Sequence, residues 1–162
     1  MTEIDVQLAV NGRTITLAVR PNELLLDTLR DRLRLTGAKR SCDMQVCGAC
    51  AVLLDGEAIS SCCTLAVDAD GHDILTIEGL AQLPEFAGFE EAFSRQSSFQ
   101  CGFCTAGMLL TVKSLLDSGE LTADTENIKR NLSGNLCRCS GYRGIVDAVR
   151  DLVSDRRQVA AR

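Results

Sequence analysis

Nine cysteines constrain this chain more than any other feature of its sequence. Eight of them fall into two groups of four, one in each half of the chain. The groups are Cys42, Cys47, Cys50 and Cys62, and then Cys101, Cys104, Cys137 and Cys139. Four thiolates can close one tetrahedral metal site or hold one iron–sulfur cluster. The chain is therefore expected to fold around two metal centres, with Cys63 as an extra thiol.

The spacing of the first group is typical of an iron–sulfur cluster. Residues 41–50, SCDMQVCGAC, give C-x4-C-x2-C, the plant-type 2Fe-2S spacing in which one loop wraps the cluster and a returning strand brings the last thiolate. Cys62, at the end of a predicted hairpin, is taken as that last ligand, with the adjacent Cys63 as its rival. Consecutive strand residues point to opposite faces, so only one of the two should reach the cluster. Cys63 is then predicted to be a small buried hydrophobe.

The second group combines two short pairs, QCGFC at residues 100–104 and LCRCS at residues 136–140. Each pair lies beside a predicted helix end, and the helix that begins after Cys104 would direct its free N–H groups and positive dipole end at the site. Spacing does not choose between a 2Fe-2S and a 4Fe-4S centre here. Gly48 and Gly102 occupy the same position in the two C-G-x-C sequences. Because glycine has no Cβ, we expect the backbone at both positions to pass close to the bridging sulfides and to direct its N–H groups toward sulfur.

Two other uses of cysteine compete with this interpretation. CGAC and CGFC are both C-x-x-C and would suit a dithiol oxidoreductase, which leaves half of the eight cysteines unused. A structural zinc ion held by Cys47, Cys50, Cys101 and Cys104 would leave the same four cysteines without a role, which are Cys42, Cys62, Cys137 and Cys139. Two clusters account for all eight, and the single histidine, His72, excludes a Rieske centre because that centre needs two. His72 is predicted to be a solvated turn residue.

Composition limits the classes of protein that fit. The chain has 162 residues, 46% of them hydrophobic, without the apolar run of about eighteen residues that indicates a membrane span. A net charge of -5 argues against nucleic acid, because phosphate binding depends on Lys and Arg. Glu3 and Asp5 stand where a secretory signal would carry basic residues, so a cytoplasmic location is expected. In that reducing compartment, nine cysteines favour metal ligands over disulfides.

Alternating apolar residues predict two β-hairpins in the first half of the chain, one at the Asn-Gly turn of residues 11–12 and one at the Asp-Gly turn of residues 55–56. Between them, residues 23–35, ELLLDTLRDRLRL, repeat leucine at helical spacing and predict an amphipathic helix. Two further short strands are expected at residues 64–67 and 74–77. This half is therefore predicted to be a mostly antiparallel sheet packed on one helix.

Past residue 77 the apolar period changes from two to about 3.6, which is typical of core-facing helices. The stripes are Phe86, Phe89 and Phe93; Met108, Leu109, Val112, Leu115 and Leu116; and Ile145, Val146, Val149, Leu152 and Val153. A shorter helix is expected at residues 124–132, with Thr122 as its N-cap, which makes four helices. We place the domain formed by the predicted sheet and helix at residues 1–79 and a helical domain at residues 84–162.

Three motifs together resemble a known family. They are CDMQVCGACAVLLDGEAISSC, QCGFCTAGM and GNLCRCSGYRGIV, in this order along the chain. They are similar to the motifs of the small iron–sulfur subunit of the molybdenum hydroxylases, the group of xanthine dehydrogenase, aldehyde oxidoreductase and carbon monoxide dehydrogenase. The resemblance implies an α+β fold, in which an N-terminal β-grasp, plant-ferredoxin-like domain precedes a C-terminal four-helix bundle. It also implies 2Fe-2S clusters at both sites, with Cys62 and not Cys63 as the fourth ligand of the first.

The resemblance further implies a role in electron transfer. In this family molybdopterin and FAD usually lie on a large and a medium partner subunit, in a heterotrimer or its dimer, and the large subunit oxidises a small aldehyde, N-heterocycle or similar substrate. The helical-domain cluster is expected near the pterin and the β-grasp cluster near the flavin. Gln100 matches the family glutamine that hydrogen-bonds the pterin. The competing hypotheses are a free-standing two-cluster carrier and a zinc-bound interaction module.

Overall fold

A five-stranded mixed sheet forms the first half of the chain in the structure, a computed structural model that describes residues 2–160, with side chains as far as residue 156. The strands are β1 (Ile4–Val10), β2 (Arg13–Val19), β3 (Ala51–Leu54), β4 (Glu57–Ser60) and β5 (Asp73–Leu75). Their order is β2-β1-β5-β3-β4, in which β1 and β5 are parallel and the other neighbours are antiparallel. The arrangement is that of a β-grasp, and the predicted α+β class is confirmed.

Both predicted hairpins are confirmed, because their turns use residues that tolerate positive φ. At the first turn Asn11 (φ 52°) and Gly12 (φ 76°) are both left-handed, and at the second Asp55 (φ 50°) and Gly56 (φ 88°) are as well. Two consecutive left-handed residues make a type I′ turn, whose twist matches that of the strands it joins. The second hairpin thus returns the chain to the position of Cys62, just after β4.

The amphipathic helix predicted at residues 23–35 is shorter and less regular than expected. Helix α1 (Leu25–Asp27) continues only as a π-helical turn over Thr28–Arg32, and Arg34 beyond it is left-handed, with φ 58°. The apolar spacing was correct, since Leu29 is fully buried in the same core as β1. Burial of the leucines, rather than helix propensity, therefore decides the path of this segment.

The strand predicted at residues 64–67 is wrong. Ala66–Ala69 form a 3-10 helix, and Leu65 makes only an isolated bridge with Leu24, which precedes α1. The N–H of Ala66 donates to the carbonyl of Glu23 at 2.8 Å. The backbone of this segment therefore pairs with the chain that enters α1 instead of with a strand of the sheet.

The second half is helical, as its apolar period predicts. The helices are α2 (Ile77–Leu80), α3 (Phe86–Arg95), α4 (Thr105–Asp117), α5 (Thr125–Asn131) and α6 (Tyr142–Ala160). The strand predicted at residues 74–77 is wrong beyond β5, because α2 begins at its end.

Asp124, and not Thr122, caps α5, since its carboxylate accepts the N–H of Asn127 at 2.8 Å. Within residues 2–160, no helix combines the length and apolar character that crossing a membrane requires.

Two hydrophobic cores lie next to each other in this fold. The first is shared by the sheet and α1, and Leu8 and Val19 are among its fully or almost fully buried members. The second fills the four longer helices, where Phe89 and Phe93 are buried as their spacing predicts. Leu53 of β3 belongs to this second core although its strand is part of the sheet. Helix α4 therefore packs directly on β3, which brings the two cysteine groups close together.

Candidate metal centres

The first four cysteines lie on one loop and on the segment that follows β4. Cys42, Cys47 and Cys50 lie on the loop that precedes β3, and Cys62 follows β4. Ser61 fixes the returning segment, because its hydroxyl donates to the carbonyl of Cys50 at 2.7 Å. The thiols face each other in two pairs, Cys42 with Cys47 and Cys50 with Cys62. The structure thus brings together the set that the spacing predicts.

Backbone amides make the first site suited to negatively charged sulfur. The Sγ atom of Cys42 accepts the N–H of Met44 and, at 3.5 Å, that of Val46. These bonds, followed by contacts with Cys47, lower the pKa of Cys42 to about 6, whereas burial raises the pKa of Cys50 to about 11. Metal ions bind cysteine as the thiolate. The amide hydrogen bonds already favour the thiolate of Cys42, whereas the buried thiol of Cys50 would lose its proton when it binds the metal.

The second four cysteines meet between the start of α4 and the turn that precedes α6. Their pairs are Cys101 with Cys139 and Cys104 with Cys137. Cys104 immediately precedes α4, so the free N–H groups of that helix lie beside the site, as predicted. The N–H of Phe103, followed by contact with Cys139, lowers the pKa of Cys101, and burial raises the pKa of Cys104 to about 11. Each site therefore contains an amide-stabilised thiol and a thiol whose pKa is raised by burial.

This paired arrangement fits two-iron clusters better than single ions. A single tetrahedral ion holds all its thiolates about 3.8 Å apart, whereas a 2Fe-2S cluster takes two ligands on each iron. Among the described residues, no three His, Cys, Asp or Glu side chains converge on one ion position. The alternative zinc set would take thiols from both sites, yet Cys50 and Cys104 each pair within their own group. The geometry favours one two-iron cluster at each site.

Cys63 departs from its predicted role as a buried hydrophobe. Its side chain is exposed, and its Sγ atom lies 3.7 Å from that of Cys62. Because β4 ends at Ser60, the two cysteines lie in a turn, and the alternation of strand side chains does not apply to them. Both sulfur atoms therefore lie at the first site.

A tightly packed backbone contact joins the two sites. The N–H of Leu136 donates to the carbonyl of Cys47 at 2.9 Å, which links a loop of one site to a loop of the other. Gly107 of α4 lies against the same loop, because a Cβ there would collide with the carbonyl oxygen of Gly48. A Cβ on Gly48 would in turn come within 2.5 Å of the Asn135 side chain. The glycine of the first C-G-x-C is therefore needed for this junction, a role that its motif did not predict.

Two residues to which the motifs assign no role hold the second site in place. Asn135 is buried, and its side-chain amide donates to the hydroxyl of Thr111 in α4 at 3.2 Å. The hydroxyl of Tyr142 accepts the N–H of Cys137 at 2.8 Å. Both residues belong to the third motif, GNLCRCSGYRGIV, so their signal was present in the sequence. Spacing could not say which backbone group each would bind.

Gln100 and His72 were also singled out from the sequence. Gln100 is exposed beside the second site, packed against Gly141, and with Ser140 it lines a cleft of about 390 Å³. The exposed side chain of His72 contacts Asp55, with 2.6 Å between Nδ1 and Oδ2. Gln100 is therefore available to a molecule in that cleft, and His72 is the solvated turn residue that was predicted.

Gly107→Ala is expected to destabilise the chain by at least about 2 kcal/mol, because overpacking a core costs about 1–3 kcal/mol and here the new Cβ meets backbone on the opposite side. Helix propensity would predict the opposite sign. Gly88→Ala in α3 is the matched control, since its Cβ would meet only Leu152 at 3.9 Å, and we expect it to stabilise by about 0.5–1 kcal/mol. Thermal melts of both holo-variants by circular dichroism test this; equal Tm shifts would contradict a tight junction.

Known domains and proteins match both halves of the chain. Residues 8–76 match the 2Fe-2S iron-sulfur cluster binding domain, and residues 76–150 match a second 2Fe-2S binding domain. The chain is 49% identical to the nicotine 6-hydroxylase small subunit of Paenarthrobacter nicotinovorans, over 92% of this chain and 88% of that protein. It is 42% identical to the nicotinate dehydrogenase small FeS subunit of Eubacterium barkeri, over 93% of this chain and 95% of that protein.

Solved structures of similar proteins have the same fold as this chain. Quinoline 2-oxidoreductase from Pseudomonas putida 86 superposes with a TM-score of 0.88 and 39% identity, over 98% of both chains. The aldehyde oxidoreductase from Desulfovibrio desulfuricans ATCC 27774 superposes with a TM-score of 0.86 and 36% identity, over 95% of this chain but 17% of that one. The choice between 2Fe-2S and 4Fe-4S in the second half is thereby decided for 2Fe-2S. The chain belongs to the molybdenum hydroxylase family, as a small iron–sulfur subunit that transfers electrons and contains two 2Fe-2S domains.

Proposed function

We propose that this chain carries electrons from a molybdopterin centre on a large partner subunit to FAD, or another acceptor, on a medium one. The helical-domain site receives them, and its ligands are Cys101, Cys104, Cys137 and Cys139. The β-grasp site passes them on, and its ligands are Cys42, Cys47, Cys50 and Cys62. A bound 2Fe-2S cluster supplies the one-electron chemistry, and the protein supplies ligands, charge and distance.

The observation that carries this proposal is the hydrogen bond from Leu136 to the carbonyl of Cys47, at 2.9 Å. Leu136 is bonded to Cys137, so the bond connects a proposed ligand of one cluster with a proposed ligand of the other through backbone. Cys47 and Asn135 are buried beside it, while the Leu136 side chain is exposed. A short and fixed backbone connection is what transfer between two centres requires, and a module that bound zinc for structure would have no use for it.

Exposed apolar side chains indicate where partners dock. Phe99, Phe103, Leu136 and Tyr142 are between 38% and 49% exposed around the second site. Large exposed apolar residues of this kind mark protein contacts, and aromatic ones are enriched there. We assign this face to the large subunit. It favours a subunit over a free-standing carrier, since a carrier would keep the face in water.

The first site has its own exposed rim. Met44 and Val46, on the loop that carries Cys42 and Cys47, are 66% and 53% exposed. We assign this rim to the FAD-binding subunit, which lets electrons leave at the cluster farther from molybdopterin. Gln100, in its cleft beside the second site, is assigned to a hydrogen bond with the pterin.

The proposal includes the organisation of the complex. We place the domains at residues 1–79 and 84–162, in a heterotrimer or its dimer with the large and medium subunits, in the cytoplasm. The relatives are named for nicotine, nicotinate, quinoline and aldehyde chemistry. A small N-heteroaromatic compound or an aldehyde is therefore the proposed substrate class, and the substrate site lies on the large subunit.

This proposal is tested by measuring iron and acid-labile sulfide per chain and by recording EPR spectra of the reduced protein. We expect about four of each and two distinct S = 1/2 signals, because each 2Fe-2S centre contributes two irons and one unpaired electron when reduced. Cys139→Ala is expected to remove one signal and about half the iron. Zinc without sulfide in the purified chain would contradict the proposal and favour the interaction module.

A further inference from the structure

Cys63 places a fifth thiol at the first site. Its exposed Sγ atom lies 3.7 Å from that of Cys62 and accepts the N–H of Gln45, on the loop between Cys42 and Cys47. Cys63 therefore lies between the loop that carries Cys42 and the segment that carries Cys62. The other eight cysteines are used by the two sets of four, and this thiol has no assigned role.

The separation of the two sulfur atoms suits a shared metal ion. A tetrahedral ion about 2.3 Å from each thiolate holds two of them about 3.8 Å apart. The observed 3.7 Å between Cys62 and Cys63 equals this value within a tenth of an ångström or so. An iron atom on the side that the two sulfurs share is therefore within reach of both.

The backbone around Cys63 is already fixed in the required position. Its N–H donates to the carbonyl of Ser60 at 3.0 Å, and the hydroxyl of Thr64 donates to the same carbonyl at 3.1 Å. The N–H of Leu26 in α1 donates to the carbonyl of Ser61 at 3.0 Å. A change of ligand within this turn therefore needs rotation of side chains and little movement of the backbone.

We propose that Cys63 is a reserve ligand of the first cluster and can bind its iron in place of Cys62. The inference rests on the proposed 2Fe-2S function of this site. The exchange moves no electrons: the Cys63 thiol gives its proton to solvent as its sulfur binds iron, and the Cys62 sulfur leaves as a thiolate that takes up a proton. Exposure of Cys63 gives that proton direct access to water.

Cys62→Ala in the full chain tests the proposal through iron content and EPR, not through activity. We expect it to keep about four irons per chain, with changed g values for the first cluster only. Cys62→Ala/Cys63→Ala is expected to fall to about two irons. Cys47→Ala is the matched control and should also fall to about two, because the spare thiol of Cys63 lies against Cys62 and not against Cys47. Cys63→Ala should keep four irons and the native spectrum.

A fall to about two irons in Cys62→Ala would overturn the proposal. The signal of the second cluster shows that each variant has folded. Cys62→Ser, which keeps the size of the side chain, repeats the test, and we expect iodoacetamide to alkylate Cys63 in the native chain and not in this variant. Loss of both signals in both Cys62 variants also overturns it, whereas a native chain without clusters would overturn the proposed function instead.

Discussion

Cys101→Ala in the assembled complex is expected to abolish turnover with the physiological acceptor while substrate still reduces molybdenum. Cys101 pairs with Cys139 at the exposed edge of the second site, and alanine removes one of the two ligands that this pair offers to an iron. The second cluster then fails to assemble, and electrons delivered by the substrate have no route to the first. Rapid mixing with substrate, followed by flavin absorbance and by molybdenum EPR, separates the two half-reactions.

The outcome that contradicts this prediction is rapid, substrate-dependent bleaching of the flavin in Cys101→Ala. Such bleaching would mean that electrons reach FAD without the second site. Ser118→Ala is the control, because Ser118 caps the far end of α4, where its hydroxyl donates to the carbonyl of Leu115 and the carboxylate of Glu120. It should bleach the flavin at the native rate. Iron content of the same samples shows whether Cys101→Ala has lost one cluster and kept the other.

Much of the fold could be predicted because short-range chemistry decides it. The Asn-Gly and Asp-Gly dipeptides dictate type I′ turns whatever lies beyond them, so both hairpins were predictable. The helical period past residue 77 reflects burial of one face, and Phe89 and Phe93 are buried as it requires. Residues 64–67 were mispredicted for the opposite reason. Their apolar pattern suits a strand, but a partner distant in sequence, the segment before α1, takes their backbone hydrogen bonds.

The composition of the two sites was predictable, but their relation was not. Metal ligation restricts each site to thiols at characteristic spacings, so the eight cysteines could be grouped from the sequence. The junction depends on the close approach of two backbones. A glycine in a sequence does not indicate which other segment of the chain will pack against it. Gly102 and Gly48 occupy equivalent motif positions, yet a Cβ would have open space at Gly102 and would meet Asn135 at Gly48. Cys63 was mispredicted because the strand before it ends sooner than assumed.

Removal of iron is expected to have the largest effect on stability. The loop that carries Cys42, Cys47 and Cys50 contains no helix or strand, and Asp43 (φ 50°) and Gln45 (φ 59°) hold left-handed conformations that cost about 1–2 kcal/mol each. Metal ligation in small domains supplies folding free energy on the order of 10 kcal/mol, comparable to the whole stability of an ordinary domain. Chelation of the iron under reducing conditions should therefore leave a chain that no longer melts cooperatively.

The loss should spread from the loops to the rest of the fold through the junction. Without iron the Cys47 loop loses its fixed shape, and the bond from Leu136 and the packing of Gly107 on Gly48 depend on that shape. Hydrogen exchange should therefore rise first at residues 40–50 and 133–140, and later in β3, whose Leu53 lies in the helical core. Circular dichroism should show reduced helix content that returns when iron and sulfide are restored. A cooperative melt of the iron-free chain with native helix content would show instead that the two hydrophobic cores suffice to fold it.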